Sequence, residues 1–280
     1  MEGGNSVDRR AAPVYNPIMN EGGTFLMAMA LTTLAGLSTT VGSLIGIFYK
    51  EPGPRYMAFT LGFSAGVMVL VSFVELLQQA ILSVGFAQAH LAFFIGMFAM
   101  LLIDFLLPHS YILETHHGSV GHGGAGKAKT GRLQKASLMV AVGVGIHNFP
   151  EGMVTFAGTL KDVNIGIALA FAVAIHNIPE GIAVSVPIYA STGSRKKAFW
   201  WSFLSGASEP VGALLAGIVL MPFLSEALLG WMFAMVAGFM VFISFDELLP
   251  IAQSYGEAHV AIVGVMVGMM VMALSLAILI

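Results

Sequence analysis

His147-Asn-Phe-Pro-Glu-Gly152 and, 29 residues further on, His176-Asn-Ile-Pro-Glu-Gly181 decide how this chain is read. Each hexapeptide sets an imidazole and a carboxylate four residues apart, the spacing that brings two side chains to one face of a helix. Each is embedded in Val, Ile, Ala, Gly and Phe, where an acid costs several kcal/mol unless it pairs, takes a proton or holds a cation. Two such helices packed together present two imidazoles and two carboxylates to one point. That N₂O₂ donor set suits zinc and is tolerated by iron, manganese, cobalt or cadmium. The proline between His and Glu has no N–H and leaves a carbonyl one turn back without its helical partner. The closing glycine lets another helix approach closely.

Outward from these motifs the chain stays apolar. Of 280 residues, 57% are hydrophobic and 10% charged, against about 25% charged in soluble globular chains. Apolar stretches near the roughly 20 residues that cross a bilayer as helix recur at 24–48, 56–83, 88–107, 133–160, 164–190, 197–221, 225–253 and 257–280. The expected fold is therefore an all-α integral membrane protein of eight transmembrane helices. Residues 1–23 read as a polar N-terminal tail without the basic-then-apolar order of a cleavable signal, and 108–132 as a long Gly- and His-containing loop. There is no cysteine, which excludes disulfides and thiolate chemistry. A net charge of −3 with no basic cluster gives nucleic acid nothing to bind.

Lys and Arg distribution sets the orientation. Nine lie in the loops after the odd-numbered spans (Lys50, Arg55, Lys127, Lys129, Arg132, Lys135, Arg195, Lys196 and Lys197) against three on the other side (Arg9, Arg10 and Lys161). This predicts both termini outside and the 108–132 loop in the cytoplasm of a multi-pass cell-membrane protein. A second repeat supports an internal duplication: Ser64–Leu77 matches Val236–Leu249 at 9 of 14 positions. In this topology the second and seventh spans run in opposite directions, as do the fourth and fifth, an inversion characteristic of secondary transporters.

Leaving aside Glu226 and Glu257 at span edges, seven acids fall inside the spans: Glu75, Asp104, Glu151, Glu180, Glu209, Asp246 and Glu247. No Lys or Arg lies deep enough to neutralise them, so a metal ion or a proton is the natural partner. Asn148 and Asn177 offer amide oxygens to a second ion, and Glu209, in Ser205-Gly-Ala-Ser-Glu-Pro-Val-Gly212, sits at similar depth and can bridge to it. Glu75 toward the outside, with Asp104, His109, Asp246 and Glu247 toward the cytoplasm, reads as an entrance and exit path. His116, His117 and His122 can capture metal loosely from the loop. The repeat-related Met68 and Met240 read as apolar packing.

These motifs, with Ser205–Gly206 to Glu209–Pro210 and the His-bearing loop, resemble the ZIP (Zrt/Irt-like) family of metal transporters over about residues 24–280. The resemblance implies a three-plus-two-plus-three inverted-repeat arrangement, extracellular termini and a homodimer in the lipid bilayer. It implies a two-metal centre, with His147, Glu151, His176 and Glu180 at one position and Asn148, Asn177, Glu180 and Glu209 at the other. It further implies import of zinc, iron, manganese, cobalt or cadmium as transported substrate rather than as cofactor, through an elevator-like motion of helices 1, 4, 5 and 6 against 2, 3, 7 and 8. Asn177 is an amide where many relatives carry an acid, which lowers the charge of the second position. Two other readings compete: a membrane-embedded metal-dependent hydrolase, for which no His-Glu-x-x-His is present, and a passive metal-selective channel.

Overall fold

A computed structural model describes residues 21–48, 53–106, 126–220, 223 and 225–279. Among these residues the backbone is almost entirely helical and forms eight long helices. They are α1 (Glu21–Phe48), α2 (Pro54–Val84), α3 (Phe86–Leu106), α4 (Gly126–Lys161), α5 (Val163–Thr192), α6 (Arg195–Leu215, running on through Ala216–Leu220), α7 (Glu226–Ser254) and α8 (Ala258–Leu279). All but α4 are long and apolar enough to cross a membrane. Helix α4 is the longest at 36 residues, but it carries His147, Asn148, Pro150 and Glu151 along its length. It also begins seven residues before the expected 133: Lys127, Ala128, Lys129 and Arg132 are good helix formers and the stretch holds no proline, so the helix runs on out of the apolar span despite Gly131.

Punctuation residues set the helix ends. Pro54 opens α2, where its missing N–H costs nothing. Asp162 caps α5 by accepting from Asn164 N at 2.7 Å. Ser225 caps α7 by accepting from Leu228 N at 3.1 Å. Gly193 ends α5 with φ 64°, a left-handed conformation that glycine adopts without a Cβ penalty. An ion pair at 3.0 Å from Arg55, in the first turn of α2, to Glu257, just before α8, ties the starts of those two helices together. Lys161 Nζ reaches Ser83 Oγ at 3.2 Å, so the α2–α3 and α4–α5 connections share the other end. Both contacts are those expected of helices that cross alternately.

The helices sort into two groups, α1, α4, α5 and α6 in one and α2, α3, α7 and α8 in the other, with the most extensive packing inside each group. Glycines set the closest approaches. Between α1 and α5 a Cβ at Gly42 would fall on the carbonyl of Ile178, and one at Gly181 on that of Thr39. Between α6 and α4, Gly212 stands in the same way against Phe149, and Gly152 against Glu209. Residue by residue the two contacts are equivalent, since Phe149 and Gly152 occupy the hexapeptide positions of Ile178 and Gly181. In the second group Gly66 meets Val265 and Gly268 meets Phe63 between α2 and α8, while Gly238 meets Phe93 and Gly96 meets Met235 between α7 and α3. These contacts also correspond one to one.

The repeat extends to an irregularity. Ser72–Leu76 of α2 and Ser244–Leu248 of α7 each form a π-helical turn, at the same place in the matched segments. In both, the serine hydroxyl donates to a methionine carbonyl one turn back: Ser72 to Met68 at 2.6 Å and Ser244 to Met240 at 2.7 Å. Such wide turns are rare and concentrate at functional sites. Met68 and Met240 themselves are buried in one apolar core, as packing residues. On the outside, Leu26, Leu34 and Phe48 of α1, Phe94, Phe98 and Phe105 of α3, and Met266, Leu274 and Ile278 of α8 are exposed. That apolar surface far exceeds what water tolerates on a monomer and suits lipid.

Candidate metal centre

Helices α4 and α5 carry prolines in mid-helix, Pro150 and Pro179. Each lacks the N–H that would reach the carbonyl four residues back, that of Ile146 or Ile175. Between these interruptions His147, Asn148, Glu151, His176, Asn177, Glu180 and Glu209 are all buried, none more than 2% exposed.

The motifs pair crosswise. His147 Nε2 of α4 lies 3.3 Å from both carboxylate oxygens of Glu180 on α5. His176 Nε2 of α5 lies 3.4 Å from Glu151 Oε2 of α4. Two ligands each roughly 2.0–2.1 Å from a tetrahedral zinc stand about 3.3 Å apart, so the pairs have the spacing of an N–O edge of such a site. Among the described residues no three His, Asp or Glu side chains stand around one point as a finished cage. The ligand atoms are closed on each other instead.

The amides lie beside the pairs. Asn177 Nδ2 donates to Glu209 Oε1 and, at 3.1 Å, to the carbonyl of Ala35 on α1. Asn148 Nδ2 donates to the carbonyl of Ser205 on α6 at 3.4 Å. Both amides use their donors on neighbouring oxygens and leave Oδ1 without a partner. In all, His147 Nδ1, Asn148 Oδ1, Glu151 Oε1, His176 Nδ1, Asn177 Oδ1 and Glu209 Oε2 are buried without a hydrogen-bond partner. Buried polar atoms are satisfied in the great majority of cases. Six such atoms on residues of one buried site leave polar capacity that the protein's own hydrogen bonds do not use, as a site that holds a cation in passage requires.

The remaining sequence-derived residues lie apart. Glu75 sits buried in the π-turn of α2, where Gln79 Nε2 donates to it at 3.4 Å. Its repeat counterpart Glu247 is half-buried in the π-turn of α7. Asp246 is exposed and Asp104 half-buried near the end of α3. His109, His116, His117 and His122 lie outside the described residues. The residues that sequence reasoning missed are hydroxyls. Thr32, Thr39 and Ser43 form a buried stripe on α1, and Thr155 and Thr159 continue the ligand face of α4. The four-residue steps Glu151, Thr155, Thr159 were visible in the sequence.

A bundle with this many apolar helices and a buried, unsatisfied imidazole–carboxylate cluster is a multi-pass membrane protein for handling cations. Residues 109–276 match the family described as ZIP Zinc transporter. The chain is 47% identical over 276 residues to the zinc transporter ZupT of Nitratidesulfovibrio vulgaris, covering 92% of this chain and 99% of that protein. It is 49% identical over 271 residues to that of Lysinibacillus sphaericus, again covering 92% and 99%. It is 49% identical over 261 residues to that of Chlorobium chlorochromatii, covering 90% and 97%. The chain belongs to the ZIP family. It is a membrane metal-ion transporter and not an enzyme, which leaves the hydrolase and passive-channel readings without support.

Proposed function

We propose that this protein imports divalent transition-metal ions into the cytoplasm, zinc foremost, with iron, manganese, cobalt and cadmium as further substrates. The metal is cargo, held in passage by His147, Glu151, His176 and Glu180, with Asn148, Asn177, Glu180 and Glu209 serving a second, less charged position. The observation that carries this is the crosswise pairing of His147 with Glu180 and His176 with Glu151. The pairing is fully buried and has the spacing of zinc ligands, and its residues together with Asn148, Asn177 and Glu209 carry six polar atoms without a hydrogen-bond partner. Relatives named as zinc transporters at 47–49% identity point to the same ion.

The bundle is arranged as three plus two plus three, with α1–α3 repeated in inverted sense by α6–α8 and α4 by α5. The equivalent glycine contacts and the twin π-turns support this. Transport is a displacement of α1, α4, α5 and α6 against α2, α3, α7 and α8, in keeping with the fuller packing inside each group. Both termini face outward, the 108–132 loop faces the cytoplasm, and two copies associate in the membrane. Glu75, Asp104, His109, Asp246 and Glu247 line entry and exit, and His116, His117 and His122 gather metal on the cytoplasmic side. Zinc uptake by the purified protein in sealed liposomes tests the reading. The expected result is saturable accumulation, and purified protein that accumulates none overturns it.

A further inference from the structure

Thr155 lies one turn beyond Glu151 on the ligand face of α4 and is fully buried. A helical threonine commonly turns its hydroxyl onto a carbonyl one turn back, as Thr159 does toward Thr155 O at 2.7 Å. Thr155 does not: its Oγ1 has no partner, and neither has Oε1 of Glu151. The two residues line one cavity of about 10 Å³, room for about one water-sized species. The rest of that lining is apolar and includes Val71 and Leu76 of α2 and Val236 and Met240 of α7. Two residues with unsatisfied oxygens thus border one small, otherwise apolar space between the two helix groups, and their oxygens have coordination capacity that the fold itself does not use.

The opposite end of the centre is built differently. The residue one turn beyond Glu180 on α5 is Val184, fully buried in an apolar cluster with Val144 and Ile188. Oxygen therefore continues past the His–Glu pairs along α4 and stops along α5.

We infer that Thr155 is a further ligand for the travelling ion. Its Oγ1 and Glu151 Oε1, with water, hold a divalent cation as it passes between the His–Glu pairs and the end of the bundle toward Lys161. In the orientation proposed above that is the outer side, so the step precedes capture by the imidazoles. This inference rests on the transport function proposed above and adds an oxygen-only station to it.

Wild-type uptake in liposomes is measured first; no uptake would refute the transport function and this ligand with it. The chain has no cysteine, so T155C introduces a single thiol, a soft ligand that binds Cd²⁺ far better than a hydroxyl does. The Cd²⁺ concentration that halves zinc uptake should fall at least tenfold in T155C and stay at the wild-type value in V184C. An unchanged value in T155C, or an equal fall in V184C, overturns the inference while leaving transport intact. Should T155C carry no zinc, T155V and T155S decide. T155V removes the unpaired hydroxyl from an apolar wall, so its thermal stability is at or above wild type, while its maximal uptake should drop several-fold. T155S should recover most of that loss. Uptake by T155V equal to wild type overturns the inference.

Discussion

Glu180→Ala is the substitution with the sharpest consequence. Glu180 is fully buried, both of its oxygens lie 3.3 Å from His147 Nε2, and it is the acid assigned to both metal positions. Breaking a buried pair on one side costs a fold about 3–5 kcal/mol, and a buried dication that loses one charged ligand is expected to be weakened by a similar amount. At 1.4 kcal/mol per factor of ten that is two to three and a half powers of ten in affinity. At a zinc concentration near the wild-type half-saturation value, initial uptake into liposomes should therefore fall to about 1% or less. Glu180→Gln keeps the shape and loses the charge, and it should fall nearly as far, because an amide is a poor substitute for a carboxylate opposite a dication. The contrasting variant replaces His116, His117 and His122 together. A hydrated loop offers exchangeable ligands, so apparent affinity should change only modestly. At matched amounts of folded protein, a dead triple variant beside near-normal Glu180→Ala would refute the assignment of the transport site to α4 and α5.

Three further outcomes follow from the same geometry. Metal ligands bind in their deprotonated forms and imidazole has a reference pKa of about 6.5, so zinc uptake should fall as external pH drops from about 7.5 to about 5.5; a flat profile contradicts histidine ligation. With single cysteines at Ser6 and Ser119, an impermeant thiol reagent on intact cells should modify S6C and reach S119C only after permeabilisation, and the reverse pattern inverts the topology. Gly181→Val pushes a side chain onto the Thr39 carbonyl of α1, and forced repacking of this kind costs about 1–3 kcal/mol or more. The variant should melt measurably below wild type in detergent, and an unchanged midpoint would show that α1 and α5 are not held at that distance.

Hydropathy alone determined the class of this protein, because eight apolar stretches with so few charges have no stable arrangement in water. The ends of most helices were equally legible, since Pro54, Asp162, Gly193 and Ser225 act through their own backbone and side chains. So were the candidate ligands: a histidine and a glutamate four residues apart share a helix face whatever that helix packs against, and finding the motif twice singled it out. What the sequence left open depends on how helices meet. The hexapeptides bring two imidazoles and two carboxylates together without saying which meets which, and packing pairs His147 with Glu180 and His176 with Glu151. The depth at which Gly152 and Gly181 let α6 and α1 approach brings Glu209 to Asn177, a contact no local spacing contains. The matched segments Ser64–Leu77 and Val236–Leu249 announced a duplication, but only the folded backbone revealed a π-turn in each, because its side chains are as compatible with an ordinary α-helical turn. Thr155 looked like any helical threonine until its hydroxyl was found partnerless beside Glu151. Whether a polar atom is satisfied is decided by its neighbours in space, and only the tertiary structure supplies them.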